Sequence, residues 1–202
     1  MKLNNLEFLL MNNPVRSYVQ ENYELPILRK MISLDKFESV LEIGCGSGNG
    51  TKIIKKYFNP LRITAIDLDE KMINIAKQKN NDTNINFTVA DASKLDFPDK
   101  EFDAVFDFGI IHHIPNWREC ISELKRVLKL NGELIIEELS LDTFKGFPGI
   151  IWKSLLAHPY KQMFTTGEFV QHLNNVGFSI KHFKESNPLK MIRHFSLTAK
   201  LK

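Results

Sequence analysis

Cysteine is scarce in this chain, with only Cys45 and Cys120 among 202 residues. Two thiols so far apart make neither a disulfide framework nor a metal site, so both read as reduced, small apolar residues. No apolar run approaches the roughly 18 residues that a membrane-crossing helix needs, and Met1-Lys2-Leu3-Asn4-Asn5 opens no secretory apolar segment. A cytoplasmic location without integral membrane association is therefore expected. Low-complexity tracts and internal repeats are missing as well, which leaves an ordinary globular composition, 43% hydrophobic and 25% charged. A chain of this length suits one domain with a sheet covered on both faces.

Glycine is sparse too, ten in all, yet three of the ten alternate at Gly44, Gly46 and Gly48. They follow Val40-Leu41-Glu42-Ile43, which reads as a buried strand entering a tight turn. Alternating glycines remove the Cβ atoms that would keep a ligand off the main chain, and they allow φ > 0. From Asn49 to Phe58, apolar Ile53, Ile54, Tyr57 and Phe58 lie among lysines, as in a helix that packs one face on a sheet. Strand, glycine turn and helix together make a nucleotide-binding start. A dinucleotide is disfavoured, because the third glycine of its fingerprint is replaced by Asn49 in one register and by Thr51 in the other. Glu42 would also repel a pyrophosphate, whereas a cationic amine would be welcome beside it.

Further along, Arg62 to Asp69 is a short apolar strand ending in acid. Asp67 lies at its carboxyl end, where ligands of open α/β sheets collect, and a carboxylate there can accept from both hydroxyls of a ribose. Asn86 to Ala92 is a third strand with its exit at Asp91, a residue that would otherwise cap a short turn. Phe102 to Ile114 is a fourth strand that runs into the paired His112 and His113. A histidine there could remove a proton from an acceptor, or simply pack on the next helix. The stripe Ile121, Leu124, Val127, Leu128 makes a helix from Trp117 to Lys129 stopped at Asn131-Gly132, and Glu133 to Glu138 is a fifth strand.

The pattern Glu42-x-Gly44-x-Gly46-x-Gly48 resembles the cofactor loop of class I S-adenosylmethionine-dependent methyltransferases. Asp91 after the third strand, the histidine pair after the fourth and the glycine turn at Asn131-Gly132 resemble the same family, in the same order. The likeness covers about half of the chain. It implies S-adenosylmethionine as cofactor, with Glu42 favouring its ammonium and Gly44, Gly46 and Gly48 permitting close approach. Asp67 and Leu68 would serve the ribose, Asp91 and Ala92 the adenine, and Asp107 and Phe108 the amino-acid end. His112 or His113 would face the acceptor as a candidate base.

The expected fold is a doubly wound α/β domain around a seven-stranded, mostly parallel sheet, Rossmann-like, whose last hairpin holds one antiparallel strand. Residues 1–36 are expected as an N-terminal helical lid, with Tyr18 and Tyr23 as candidate contacts, and 37–139 as the cofactor-binding core. Residues 140–165 form an apolar insertion near the acceptor, and 166–202 the last helix and hairpin. The insertion carries Phe144, Phe147, Ile150, Ile151, Trp152, Leu155 and Leu156, which suits an acceptor pocket, a dimer face or plain packing. Residues 140–202 hold nine Lys/Arg against three Asp/Glu, a surplus of six that suits RNA or an anionic surface but is favoured as a solvated face. The predicted activity is metal-independent methyl transfer to a small, partly apolar molecule, with nucleic acid disfavoured. An RNA methyltransferase, a non-catalytic cofactor-binding module and a nicotinamide oxidoreductase are the competing readings.

Overall fold

The structure is a computed structural model that describes residues 18, 20–32, 37–156, 158–187 and 192–202. Its centre is a seven-stranded sheet in the order β3-β2-β1-β4-β5-β7-β6. The strands are β1 Ser39–Ile43, β2 Arg62–Asp67, β3 Ile85–Val89, β4 Phe102–Phe108, β5 Leu128–Glu138, β6 Phe178–Ser186 and β7 His194–Leu201. The first five pair in parallel, and β7 runs antiparallel to both β5 and β6. Both the doubly wound sheet and the single reversed strand in the last hairpin are as expected.

Alternation along the central strands builds two cores. Leu41, Ile43, Val105, Leu134 and Ile136 face one side with Leu197 and Ala199. That side is covered by α4, Trp117–Val127, and α6, Thr166–Asn175. Val40, Ala65, Ala104, Phe106 and Ile135 face the other side. There they meet Leu28 of α1, Leu25–Met31, Ile54 of α2, Asn49–Phe58, and Ile73 and Ala76 of α3, Glu70–Lys79. A short helix, α5, Gly149–Leu155, lies in the insertion.

The described part of the expected lid is a structural element of the core. A π-helical turn, Gln20–Glu24, leads into α1, whose Leu25, Leu28 and Met31 are buried. The hydroxyl of Thr198 in β7 donates to the Met31 carbonyl at 3.1 Å. The stripe from Leu3 to Leu10 lies outside the described residues. The α4 boundary also differs from expectation. The helix ends at Val127 rather than Lys129, because Leu128 pairs with Phe102 and so already belongs to β5. Asn131 takes a left-handed φ of 63° and turns the chain with Gly132 inside that strand's span.

Candidate functional site

An open cleft of about 560 Å³, counted to its mouth, lies at the carboxyl ends of β1 to β4. Its walls include Gly44, Asp67, Leu68, Asp91, Ala92, Ile110, His113 and Asn116. Strand ends converge there because each parallel strand hands its chain to a crossover helix on the same edge.

The glycine turn is built for that edge. Gly44, Gly46 and Gly48 all have positive φ, at 64°, 52° and 85°. A Cβ on Gly44 would sit 2.5 Å from Ile110, so only glycine lets the loop after β4 close against the loop after β1. A Cβ on Gly46 would meet nothing within 4 Å and would project into open space. The amide of Gly46 donates to Asp67 at 2.9 Å, and the amide of Asp69 donates to the other carboxylate oxygen at 2.8 Å. Each Asp67 oxygen thus accepts one backbone hydrogen and keeps a second lone pair for a ligand. Burial raises the Asp67 carboxyl above its ordinary value, against these two hydrogen bonds.

Asp91 does two things at once. One of its oxygens accepts from the Ser93 amide at 2.8 Å and from the Ser93 hydroxyl at 2.7 Å, which tightens the turn after β3. The residue also lines the cleft beside Ala92. Leu95 and Phe97, which follow Asp91, pack into the core beside Phe102.

Glu42 is not on the cleft wall. It is 2% exposed, and the hydroxyl of Thr51 in the first turn of α2 donates to it. Gly50 makes this possible, since a Cβ there would lie 2.2 Å from a Glu42 oxygen and 2.7 Å from the Phe108 ring. Burial pushes the Glu42 carboxyl up to about 8, with the Thr51 bond opposing and the charges of Asp67 and Asp107 adding. Asp107 is also fully buried, and its side chain accepts from the Ile110 amide at 2.9 Å, fastening the turn after β4. Neither Asp107 nor Phe108 lines the cleft.

That fastened turn presents the histidines, in a 3-10 turn at Ile111–His113. His113 lines the cleft, and its buried Nδ1 has no hydrogen-bond partner. Burial, together with His112 and His158, holds His113 neutral by driving its pKa far below the usual histidine range. His112 points away from the cleft toward Glu138. Its Nδ1 lies 2.7 Å from Glu138 Oε1, and its amide donates to Oε2 at 2.6 Å. Burial raises the Glu138 carboxyl well above the carboxylate range, against the bond from the His112 amide.

Residues 41–136 match the family model described as a methyltransferase domain. That stretch is just under half of the chain, and over it the core is similar to a methyltransferase domain. Over 93 residues the chain is 38% identical to a fatty-acid O-methyltransferase of Mycolicibacterium smegmatis, covering 46% of this chain and 34% of that protein. Over 119 residues it is 34% identical to a demethylmenaquinone methyltransferase of Thermotoga maritima, covering 59% of this chain and 51% of that one. The chain therefore spans between a third and a half of these curated relatives. The same fold occurs in a SAM dependent methyltransferase from Aquifex aeolicus, with a TM-score of 0.77, 20% identity and complete coverage of both chains. No helix among the described residues is long and apolar enough to cross a membrane.

Of the expected site residues, the methyltransferase domain brings Gly44, Asp67, Leu68, Asp91, Ala92 and His113 together on the cleft. Gly46 and Gly48 shape its turn, while Glu42, Asp107, Phe108 and His112 support it from behind. Tyr18 and Tyr23 do not reach it. Glu138 and His158 escaped the sequence reading. Glu138 ends an apolar strand, a position where a carboxylate is a candidate, but His158 lies within the variable insertion and carries no local signal.

Proposed function

We propose that this chain transfers the methyl group of S-adenosylmethionine to a small, at least partly apolar acceptor in the cytoplasm. The observation that carries the proposal is the cleft itself. A glycine turn, a ribose-competent carboxylate and Asp91 with Ala92 line one end, and a neutral histidine lines the other. The residues suit this cofactor. Asp67 keeps two acceptor positions for a diol, and the space over Gly46 is open to a close-lying ligand.

Glu42 and Asp107 place buried carboxyls behind the glycine turn; a ligand carrying a sulfonium and an ammonium would favour their ionised forms, whereas a pyrophosphate would oppose them. When bound, the cofactor supplies a methyl group on an already good leaving group. The chain therefore needs to orient the acceptor and exclude water rather than supply a covalent nucleophile. His113, kept neutral by burial, can accept a hydrogen bond from an acceptor hydroxyl or carboxyl, while the same burial opposes its taking the proton. Behind it, Glu138 fixes the ring of His112.

An apolar acceptor is supported by the insertion. Of Phe144, Phe147, Ile150, Ile151, Trp152, Leu155 and Leu156 only Phe144 is buried, and Phe147, Ile150, Ile151 and Leu155 are exposed. Phe144 and Tyr160 enclose His158, whose ring stands against His113 at 4.5 Å between centroids. The insertion is thereby joined to the acceptor end of the cleft. The relatives that act on a fatty acid and on demethylmenaquinone suggest the first acceptors to try.

The test is transfer of label from methyl-labelled S-adenosylmethionine to a medium-chain fatty acid, a quinol and bulk tRNA. Label in the organic extract of either apolar acceptor, lost in Asp67→Ala, supports the reading. Label in tRNA alone overturns the acceptor class.

A further inference from the structure

Three of the six histidines meet at one place although His158 is 45 residues from His113. Ring centroids lie 4.1 Å apart for His112 and His113, 4.5 Å for His113 and His158, and 5.0 Å for His112 and His158. One ring nitrogen from each lies within 4.8 Å of the nitrogens offered by the other two. Three atoms so spaced fit inside a circle of radius about 2.8 Å, so a point exists within that distance of all three. Zinc binds imidazole nitrogen at about 2.0–2.1 Å, so ring movements of about an ångström complete the coordination.

We infer that His112, His113 and His158 form a site for a divalent transition-metal ion, zinc foremost, at the acceptor end of the cleft. Imidazole is the ligand type that suits zinc, iron, copper and nickel rather than magnesium or calcium. Two further features fit a cation. Glu138 holds Nδ1 of His112 at 2.7 Å, so a buried carboxyl sits directly against one of the three rings. That carboxylate–histidine arrangement is the one that orients metal-binding imidazoles and raises their basicity. The second feature is His113, 5% exposed, whose buried Nδ1 has no hydrogen-bond partner. A polar nitrogen left so is costly, and a cation in the cluster would repay burying it.

Charge and access agree. Glu138, buried against His112, places a carboxyl beside the cluster, and a divalent ion bound there would favour its ionised form. His113 lines the cleft, so the ion has a path in and keeps an open position toward it. A carboxylate, hydroxyl or thiolate of a bound molecule would take that position. The inference stands apart from the methyl-transfer reading, because coordination by the three rings requires no cofactor.

The test uses the full, tag-free chain, stripped with a chelator and titrated calorimetrically with Zn²⁺ and with Co²⁺. Metal content is measured after dialysis, and the Co²⁺ form is followed by visible absorption. His158→Ala and His158→Gln are compared with the control His182→Ala, since His158 sits in a half-buried loop and His182 on an exposed strand position. The expected result is one equivalent of Zn²⁺ bound at micromolar concentration or tighter. Affinity should fall at least tenfold in both His158 variants and stay unchanged in the control, with S-adenosylhomocysteine binding measured separately on each protein. No stoichiometric uptake by the wild type, or uptake that survives both His158 substitutions, overturns the inference.

Discussion

Glu138 Oε1 lies 2.7 Å from His112 Nδ1, and neither residue is more than 3% exposed. A carboxyl at the carboxyl end of β5 thereby fixes the ring behind the cleft-lining His113. Removing the carboxyl strands a buried ring nitrogen and the His112 amide. Glu138→Ala is expected to destabilise the protein by about 2–4 kcal/mol, a fall of roughly 5–15 °C in Tm. Glu138→Gln keeps the volume and one acceptor and should recover more than half of that loss. Thermal unfolding of the two variants checks the order.

Gly44 and Gly46 separate steric need from ligand space. Gly44→Ala adds a Cβ 2.5 Å from Ile110 at a φ of 64°, so both folding and ligand binding should suffer. Gly46→Ala adds a methyl to open space at a φ of 52°, which should cost only about 1–2 kcal/mol of left-handed strain. It should nonetheless abolish the thermal shift caused by S-adenosylhomocysteine. A Gly46→Ala protein that still shows the full shift would place the ligand elsewhere.

Glu42 gives a pH dependence of defined sign. In the folded protein the carboxyl keeps its proton up to about pH 8, against 4.5 for the ordinary group. Between those values the native state binds more protons than the unfolded one, so stability falls as pH rises and levels off above pH 8. The contribution of Glu42 to the slope should be on the order of 1 kcal/mol per pH unit, so Glu42→Gln should be shallower by that amount while Glu138 and Asp67 keep the remaining slope of the same sign. Urea unfolding at pH 5, 6.5 and 8 measures it.

The capping box of α6 provides a check far from the cleft. The Glu168 amide donates to the Thr165 hydroxyl oxygen at 3.2 Å, and Glu168 returns the bond to the Thr165 amide at 2.8 Å. Thr165→Ala should cost about 1 kcal/mol, or some 2–4 °C in Tm, and leave cofactor affinity unaltered.

Much of this architecture is legible in the sequence, for reasons that particular residues show. The buried run before Gly44, the stripe on α2 and the Thr165–Glu168 box are local patterns, and local patterns survive into the fold. Asp67 and Asp91 were legible because strand ends gather ligands whatever the rest of the chain does. What stayed hidden depends on distant contacts. Glu42 sits behind the turn because Gly50 admits α2 close above it, and α1 packs on the core through Leu28. His158 meets His113 only because the chain after α5 returns to the turn after β4. The apolar residues of that insertion were visible, but which of them face solvent was not.

The central claim is that the cleft between Gly44 and His113 binds S-adenosylmethionine through Asp67. Isothermal titration with S-adenosylmethionine and S-adenosylhomocysteine, on the wild type and on Asp67→Ala, tests it directly. Saturable binding of both compounds, weakened in Asp67→Ala by at least about 1 kcal/mol, roughly fivefold, is the predicted result. A folded wild-type protein that binds neither compound would contradict the account.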